Sequence, residues 1–187
     1  MSSEIHQVEE LSKQSKDVYK VVNGEPDLAC VLILASYLDQ CLASLLKKHF
    51  IKNSSTVERL LDPVRGNVGT FQARADLSYS LGLIPKEIYQ NLCVIGSIRN
   101  QFAHSHLEIG FTHVDIVEEI DSLVLPTIKF SVSTRDDEEK RDVSFDQIIS
   151  FEDKPRLKFN ILSVMMADRI LLIGLQTENM ERKKKGW

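Results

Sequence analysis

Cysteine is scarce in this sequence, and positive charge is not in excess. The three cysteines, Cys30, Cys41 and Cys93, lack CxxC spacing and fall in segments with helical periodicity. This pattern is typical of reduced core thiols in a cytoplasmic protein and disfavours a metal or redox centre. Lys and Arg total 23 against 27 Asp and Glu, which gives a net charge of -4. Because nucleic-acid binding needs a basic surface, this balance disfavours strong general affinity for DNA or RNA.

Long uninterrupted hydrophobic runs are also missing. The most apolar stretch, residues 161–175, is broken by Asp168 and Arg169. It is shorter than the roughly 20 residues that span a bilayer. Residues 1–10 are polar and acidic, unlike a secretory signal. We therefore expect a cytoplasmic protein without a membrane span.

The motifs of several enzyme classes do not occur in the sequence. It contains no GxSxG, no HExxH, no GxxxxGK(S/T) and no GxGxxG after a strand. His104, His106 and His113 are close in sequence, but His104 and His106 would point about 200° apart on a helix. No cysteine or carboxylate has the spacing of a zinc site. We expect no metal, no cofactor and no catalytic activity.

What the sequence does contain is a series of amphipathic helices. Apolar residues recur at spacings of three and four in the four longest of them, residues 4–22, 27–51, 85–104 and 155–180. The pattern predicts a single all-α domain over residues 1–187, a bundle of six or seven helices. Its core is expected to span about residues 26–180, and the basic residues 181–187 are expected to form a flexible tail.

One segment departs from the helical pattern. Pro126 interrupts helicity, and apolar residues alternate with polar ones over residues 126–134, which predicts a short extended or β insertion. Residues 134–142 are dense in charge and predict a solvated loop.

A second irregular segment contains Gly66 and Gly69, three residues apart. Such spacing also occurs in loops that clamp a nucleic-acid backbone, but Arg65 is the single basic residue nearby. The composition therefore favours an ordinary turn.

The helix beginning near residue 85 carries an arginine within its apolar stripe. Apolar residues repeat along one side of it, at Ile88, Leu92, Ile95 and Phe102. Arg99 falls inside this stripe, and a buried guanidinium must be paired. We therefore expect a buried polar network in which Arg99, Asn100 and His104 satisfy one another together with Asp76 or Asp39.

The same residues have the chemistry of a metal-independent ribonuclease. A histidine near its ordinary pKa acts as acid or base, and an arginine holds a phosphodiester with two hydrogen bonds. On an ideal helix, however, Arg99 and His104 lie about 140° apart. A joint site would require a distorted helix end or a second subunit.

Two resemblances to known families involve these residues. The hexapeptide at residues 99–104 resembles the Arg-Asn-x-x-x-His signature of HEPN-type helical domains, many of which are dimeric ribonucleases. Three ordered stretches, residues 71–77, 81–84 and 98–105, resemble the mannitol operon repressor family, MtlR. The candidate site residues within these stretches are Arg74, Asp76, Arg99, Asn100 and His104.

The MtlR resemblance implies an oligomeric, all-α negative regulator of mannitol-utilisation genes, with a dimer favoured. No helix-turn-helix with a basic second helix is visible. We therefore expect repression through a protein partner, such as a component of the sugar phosphotransferase system, rather than through direct DNA binding. A ribonuclease with His104 as acid/base and Arg99 as phosphate ligand is the alternative, and DNA binding by residues 183–185 is a third hypothesis.

Overall fold

The computed structural model describes residues 2–105, 109–125, 127–134, 137–144, 150–152 and 154–176, with backbone alone for residues 2–12 and the two strands. In these ranges the chain forms seven helices, α1 (Ser2–Gly24), α2 (Asp27–His49), α3 (Ser55–Leu61), α4 (Phe71–Ser80), α5 (Lys86–His104), α6 (Val114–Asp121) and α7 (Pro155–Gln176). Between α6 and α7 lie β1 (Thr127–Thr134) and β2 (Asp137–Ser144). The predicted all-α class is confirmed, and the predicted tail lies outside the described residues.

The two strands pair with each other in an antiparallel ribbon. The register runs from Thr127 opposite Ser144 to Thr134 opposite Asp137. The predicted extended insertion near residues 126–134 therefore matches β1. The loop predicted over residues 134–142 is wrong for most of its length, because the pairing of a two-stranded ribbon does not require an apolar face on both strands.

Helix α2 lies at the centre of the core. Its buried residues recur every three to four positions and include Val31, Leu34, Leu38, Leu42 and Leu45. They pack against α1, α4, α5 and α7. The broad apolar face of this helix is thus explained by neighbours on several sides.

Two helices pass the length and composition test for a membrane span. They are α2, with a mean hydropathy of 1.8 over its most apolar window, and α7, with 1.4. Residues 161–175, which we expected to be the most apolar stretch, lie within α7, and α2 is the more apolar of the two helices by this measure. Both helices contribute many side chains to the hydrophobic core, and core helices of globular proteins pass the same test.

Polar contacts fasten both ends of α7 to the α1–α2 hairpin. At its start, the Arg156 guanidinium binds Asp27, with Nη1 and Oδ1 2.7 Å apart, and donates to the carbonyls of Val22 and Glu25. Near its end, Lys48 Nζ donates to the Gly174 carbonyl at 2.7 Å. The Val22 and Gly174 carbonyls lie in the last turns of α1 and α7, where the geometry of a helix leaves carbonyls in need of outside donors.

Two of the three cysteines are core residues, as expected. Cys30 and Cys41 are buried, and Cys93 is half-buried. Burial raises the pKa of Cys30 to about 11 and that of Cys41 to about 12. Both thiols therefore remain protonated at neutral pH, and the Cys30 thiol donates to Asn160 Oδ1 at 3.0 Å.

Candidate functional site on the exposed face of α4 and α5

Helices α4 and α5 run antiparallel and pack against each other. The register of this packing determines which residues of the MtlR-like stretches are exposed. Phe71, the first residue of α4, lies against Gly96, where an added Cβ would be 3.4 Å from the ring. At the other end, the rings of Tyr79 and Tyr89 stack with centroids 4.5 Å apart. Helix α4 therefore packs over α5 between Tyr89 and Gly96, and it does not extend beyond Gly96.

Asp76 is exposed and serves as an acceptor between the two helices. Its Oδ1 accepts hydrogen bonds from Gln72 Nε2 at 2.7 Å and from the Tyr89 hydroxyl at 3.0 Å. The bond to Asp76 raises the pKa of Tyr89 to about 12, because ionisation would remove the donor and place two negative charges together. The prediction that Asp76 partners Arg99 is wrong.

Arg99, Asn100 and His104 are all exposed. Arg99 Nη1 donates to Asn100 Oδ1 at 3.0 Å, and this bond lies at the surface. The predicted buried network around Arg99 is therefore wrong. Leu92 lies two turns before Arg99 on nearly the same side of α5, and it is fully buried. Leu92 and Arg99 differ in burial because Leu92 lies in the part of α5 that α4 covers. Arg99 lies about one helical turn beyond Gly96, where α4 begins.

The ordered, buried arginine of this region is Arg74. Its side chain is 5% exposed, and Nη1 lies 2.5 Å from Asp39 Oδ2. The same guanidinium donates from Nε to the Val68 carbonyl at 3.1 Å and from Nη2 to the Leu61 carbonyl at 2.8 Å. Asp39, whose side chain is 27% exposed, thus forms an ion pair with Arg74. It is one of the two acidic residues expected to pair with Arg99.

Sequence reasoning missed the acidic residue on the other side of α5. Glu119 of α6 accepts hydrogen bonds through Oε1 from Ser97 Oγ at 2.9 Å and from Gln101 Nε2 at 2.6 Å. Both donors lie on a polar stripe of α5 that a helical wheel assigns to solvent. Nothing in the sequence around Glu119 signals that α6 packs there.

The candidate side chains of α4 and α5, apart from Arg74, are exposed. We call the exposed residues Asp76, Tyr79, Arg99, Asn100 and His104 the α4–α5 face. Among the described side chains, Arg99 and His104 make no hydrogen bond to each other, and no three His, Cys, Asp or Glu residues are grouped to hold a metal ion. Exposed tyrosine and arginine are the residue types enriched at protein–protein contacts.

The described part of the chain is built on seven helices. The family model of the mannitol repressor, MtlR, matches residues 14–169. The chain belongs to the mannitol repressor family. The predicted role as a negative regulator of mannitol-utilisation genes is confirmed at the level of the family, while the HEPN-type signature stays a prediction.

A solved structure is also similar. A chain in the X-ray structure of the MtlR–HPr complex from Escherichia coli matches with a TM-score of 0.57 and 18% sequence identity. The match covers 86% of this chain and 97% of that chain. At this identity the likeness shows a shared fold. No curated protein sequence matches this chain.

Proposed function

We propose that this protein represses a mannitol-utilisation operon in the cytoplasm by binding HPr, a protein of the sugar phosphotransferase system. One observation carries the proposal: a chain of the mannitol repressor family shares the fold of a chain found in an MtlR–HPr complex. The net charge of -4 supports a protein partner over direct phosphate contact.

We place the contact on the α4–α5 face. Tyr79 is 39% exposed and is held by its stack on Tyr89, so it loses little side-chain freedom on binding. Arg99 and His104 supply exposed donors at the other end of the face. The stretches that resemble MtlR, residues 71–77 and 98–105, contribute most of it.

The candidate residues then have two kinds of role. Asp76, Arg99, Asn100 and His104 contact the partner, and Arg74 orders the structure behind the face. The ribonuclease alternative needs Arg99 and His104 to act on one phosphodiester, and it stays a prediction that no contact between them supports.

Calorimetric titration of the purified protein with HPr tests the proposal. We expect saturable one-to-one binding, and about a tenfold loss of affinity when Arg99 and His104 are both changed to Ala. The control is Arg169→Ala, which removes an exposed arginine of α7 on another helix. Absence of binding by the folded wild-type protein would contradict the proposal.

A further inference from the structure

The ribbon of β1 and β2 has an unpaired edge on each side. Within the described part of the chain, the sheet consists of these two strands alone. No described helix packs extensively against either strand. An isolated two-stranded ribbon is marginally stable in water, and further strands are what normally make such a sheet stable. The ribbon would therefore be stabilised by a strand that pairs with one of its edges.

The two edges differ in their sequences. Strand β2 carries charged residues at every position of residues 137–142. Charged residues on an edge strand are a common protection against pairing with another chain. Strand β1 contains Lys129 as its one charged residue and has no proline or glycine, and its other residues are serine and the β-branched and aromatic types that favour strands. Strand β1 is therefore the edge that is open to a further strand.

The sequence of β1 is symmetric in pattern about Phe130. The β-branched residues Ile128 and Val132 lie two positions to either side of it, and the polar residues Lys129 and Ser131 lie one position to either side. A two-fold axis through residue 130 would set Ile128 opposite Val132 of a second copy, and Lys129 opposite Ser131. Cross-strand pairs of β-branched and aromatic residues stabilise a sheet, whereas like charges directly opposite each other destabilise it.

The same register keeps the apolar positions of the two copies together. Ile128, Phe130 and Val132 alternate along β1 and so share one face of the strand. Directly opposite residues of antiparallel strands lie on the same face of the sheet, so this face continues from one copy to the other. A slip by one residue would place apolar positions opposite polar ones. The pattern of β1 is thus complementary to itself.

We propose that β1 pairs with β1 of a second copy of this chain, antiparallel and centred on Phe130. The two ribbons then form one four-stranded sheet in the order β2, β1, β1, β2, and the two-fold axis closes the assembly as a dimer. The edges left outside are the charged β2 strands, which resist further growth of the sheet. This inference is independent of the proposed function, which concerns the α4–α5 face.

Sedimentation velocity of the full chain tests the proposal, with wild type compared with Phe130→Glu and Phe130→Lys. In either variant two like charges face each other across the two-fold axis, whereas a mixture of the two variants brings opposite charges together. We expect a concentration-dependent dimer for wild type and dimerisation about tenfold weaker for each variant alone. An equimolar mixture of the two variants should recover the dimer.

The matched controls are Val143→Glu and Val143→Lys, the same kinds of change on β2. Residue 143 lies opposite Ile128 within the ribbon, but two β1 strands separate it from its copy in the four-stranded sheet. Both controls should keep the dimer. A monomeric wild type, or dimerisation that is unchanged in both Phe130 variants, would overturn the proposal. So would Phe130 variants that remain monomeric when mixed, because residue 130 would then not face its own copy.

Discussion

Burial separates the two arginines of the MtlR-like stretches. Arg74 is buried against Asp39 and two backbone carbonyls, whereas Arg99 lies at the surface with Asn100. Removing one member of a buried ion pair leaves the other charge and its hydrogen-bonding groups without partners. An exposed arginine has water as an alternative partner.

Arg74→Ala should therefore lower the free energy of unfolding by about 3 kcal/mol. Arg99→Ala should change it by less than about 0.5 kcal/mol. Urea unfolding followed by circular dichroism measures both. Equal effects of the two substitutions would refute the assignment of Arg74 as the structural arginine.

Asp168 is a carboxyl group whose environment disfavours its charge. Burial raises the pKa of Asp168, although the Ser15 hydroxyl donates to it across the α1–α7 contact. A carboxyl with a raised pKa in the folded state binds its proton more tightly there than in the unfolded chain. The contribution to stability is then greatest at low pH and declines as pH rises from the ordinary aspartate pKa through the raised one.

Asp168→Asn should accordingly raise stability at pH 7 and reduce the pH dependence of unfolding above the ordinary aspartate pKa. The neutral amide retains an oxygen that accepts from Ser15. Asp17→Asn, at an exposed aspartate of α1, is the control. Thermal melts at several pH values decide the matter, and a lower melting temperature of Asp168→Asn at pH 7 would be the opposite of the expected result.

At the scale of the element, the loop between α3 and α4, residues 62–70, depends on glycine for steric reasons. Gly69 is buried, and a Cβ there would overlap the Asp62 carbonyl. Gly24, at the end of α1, has nothing within 4 Å of its would-be Cβ. Neither glycine has a positive φ, so a comparison of the two positions isolates the steric effect of an added Cβ.

Gly69→Ala should cost about 2 kcal/mol of stability, because the loop's backbone must shift to admit a methyl group. Gly24→Ala should be neutral or slightly stabilising, because alanine restricts the unfolded chain. Chemical unfolding of the two variants side by side is the measurement. A neutral Gly69→Ala would mean that the loop is more deformable than its packing indicates.

Helix positions were largely predictable, because each long helix buries one face and so keeps a three- and four-residue repeat. The pattern over residues 27–51 corresponds to Asp27–His49, and that over 155–180 corresponds to Pro155–Gln176 within the described residues. The ribbon was predicted only in part, since β2 is nearly all polar and its pairing depends on β1 rather than on its own sequence.

The site was less predictable than the helices. A helical wheel places Arg99 on the same side as buried Leu92, but it does not show the position along α5 at which α4 begins to pack against it. Arg74 gives no comparable signal, because its partners are Asp39 and carbonyls of a loop. Neither the exposure of Arg99 nor the identity of the partner of Arg74 can be read from the sequence, because both depend on the packing register between helices and on contacts distant in sequence.

At the scale of the whole molecule, the chain is a helical scaffold with α2 at the centre of its core. The predicted dimer stays a prediction. Helix α2 leaves Leu28 46% exposed and Leu32 37% exposed near its start, so part of its broad apolar face remains uncovered in the single chain.

We propose that repression proceeds through a protein partner rather than through direct DNA contact. An electrophoretic mobility shift of the folded protein on its candidate mannitol promoter, repeated across a salt series, tests this most directly. We expect no shift by the protein alone at any salt concentration. A sequence-preferring shift that weakens steeply with salt would show direct phosphate contacts and would contradict it.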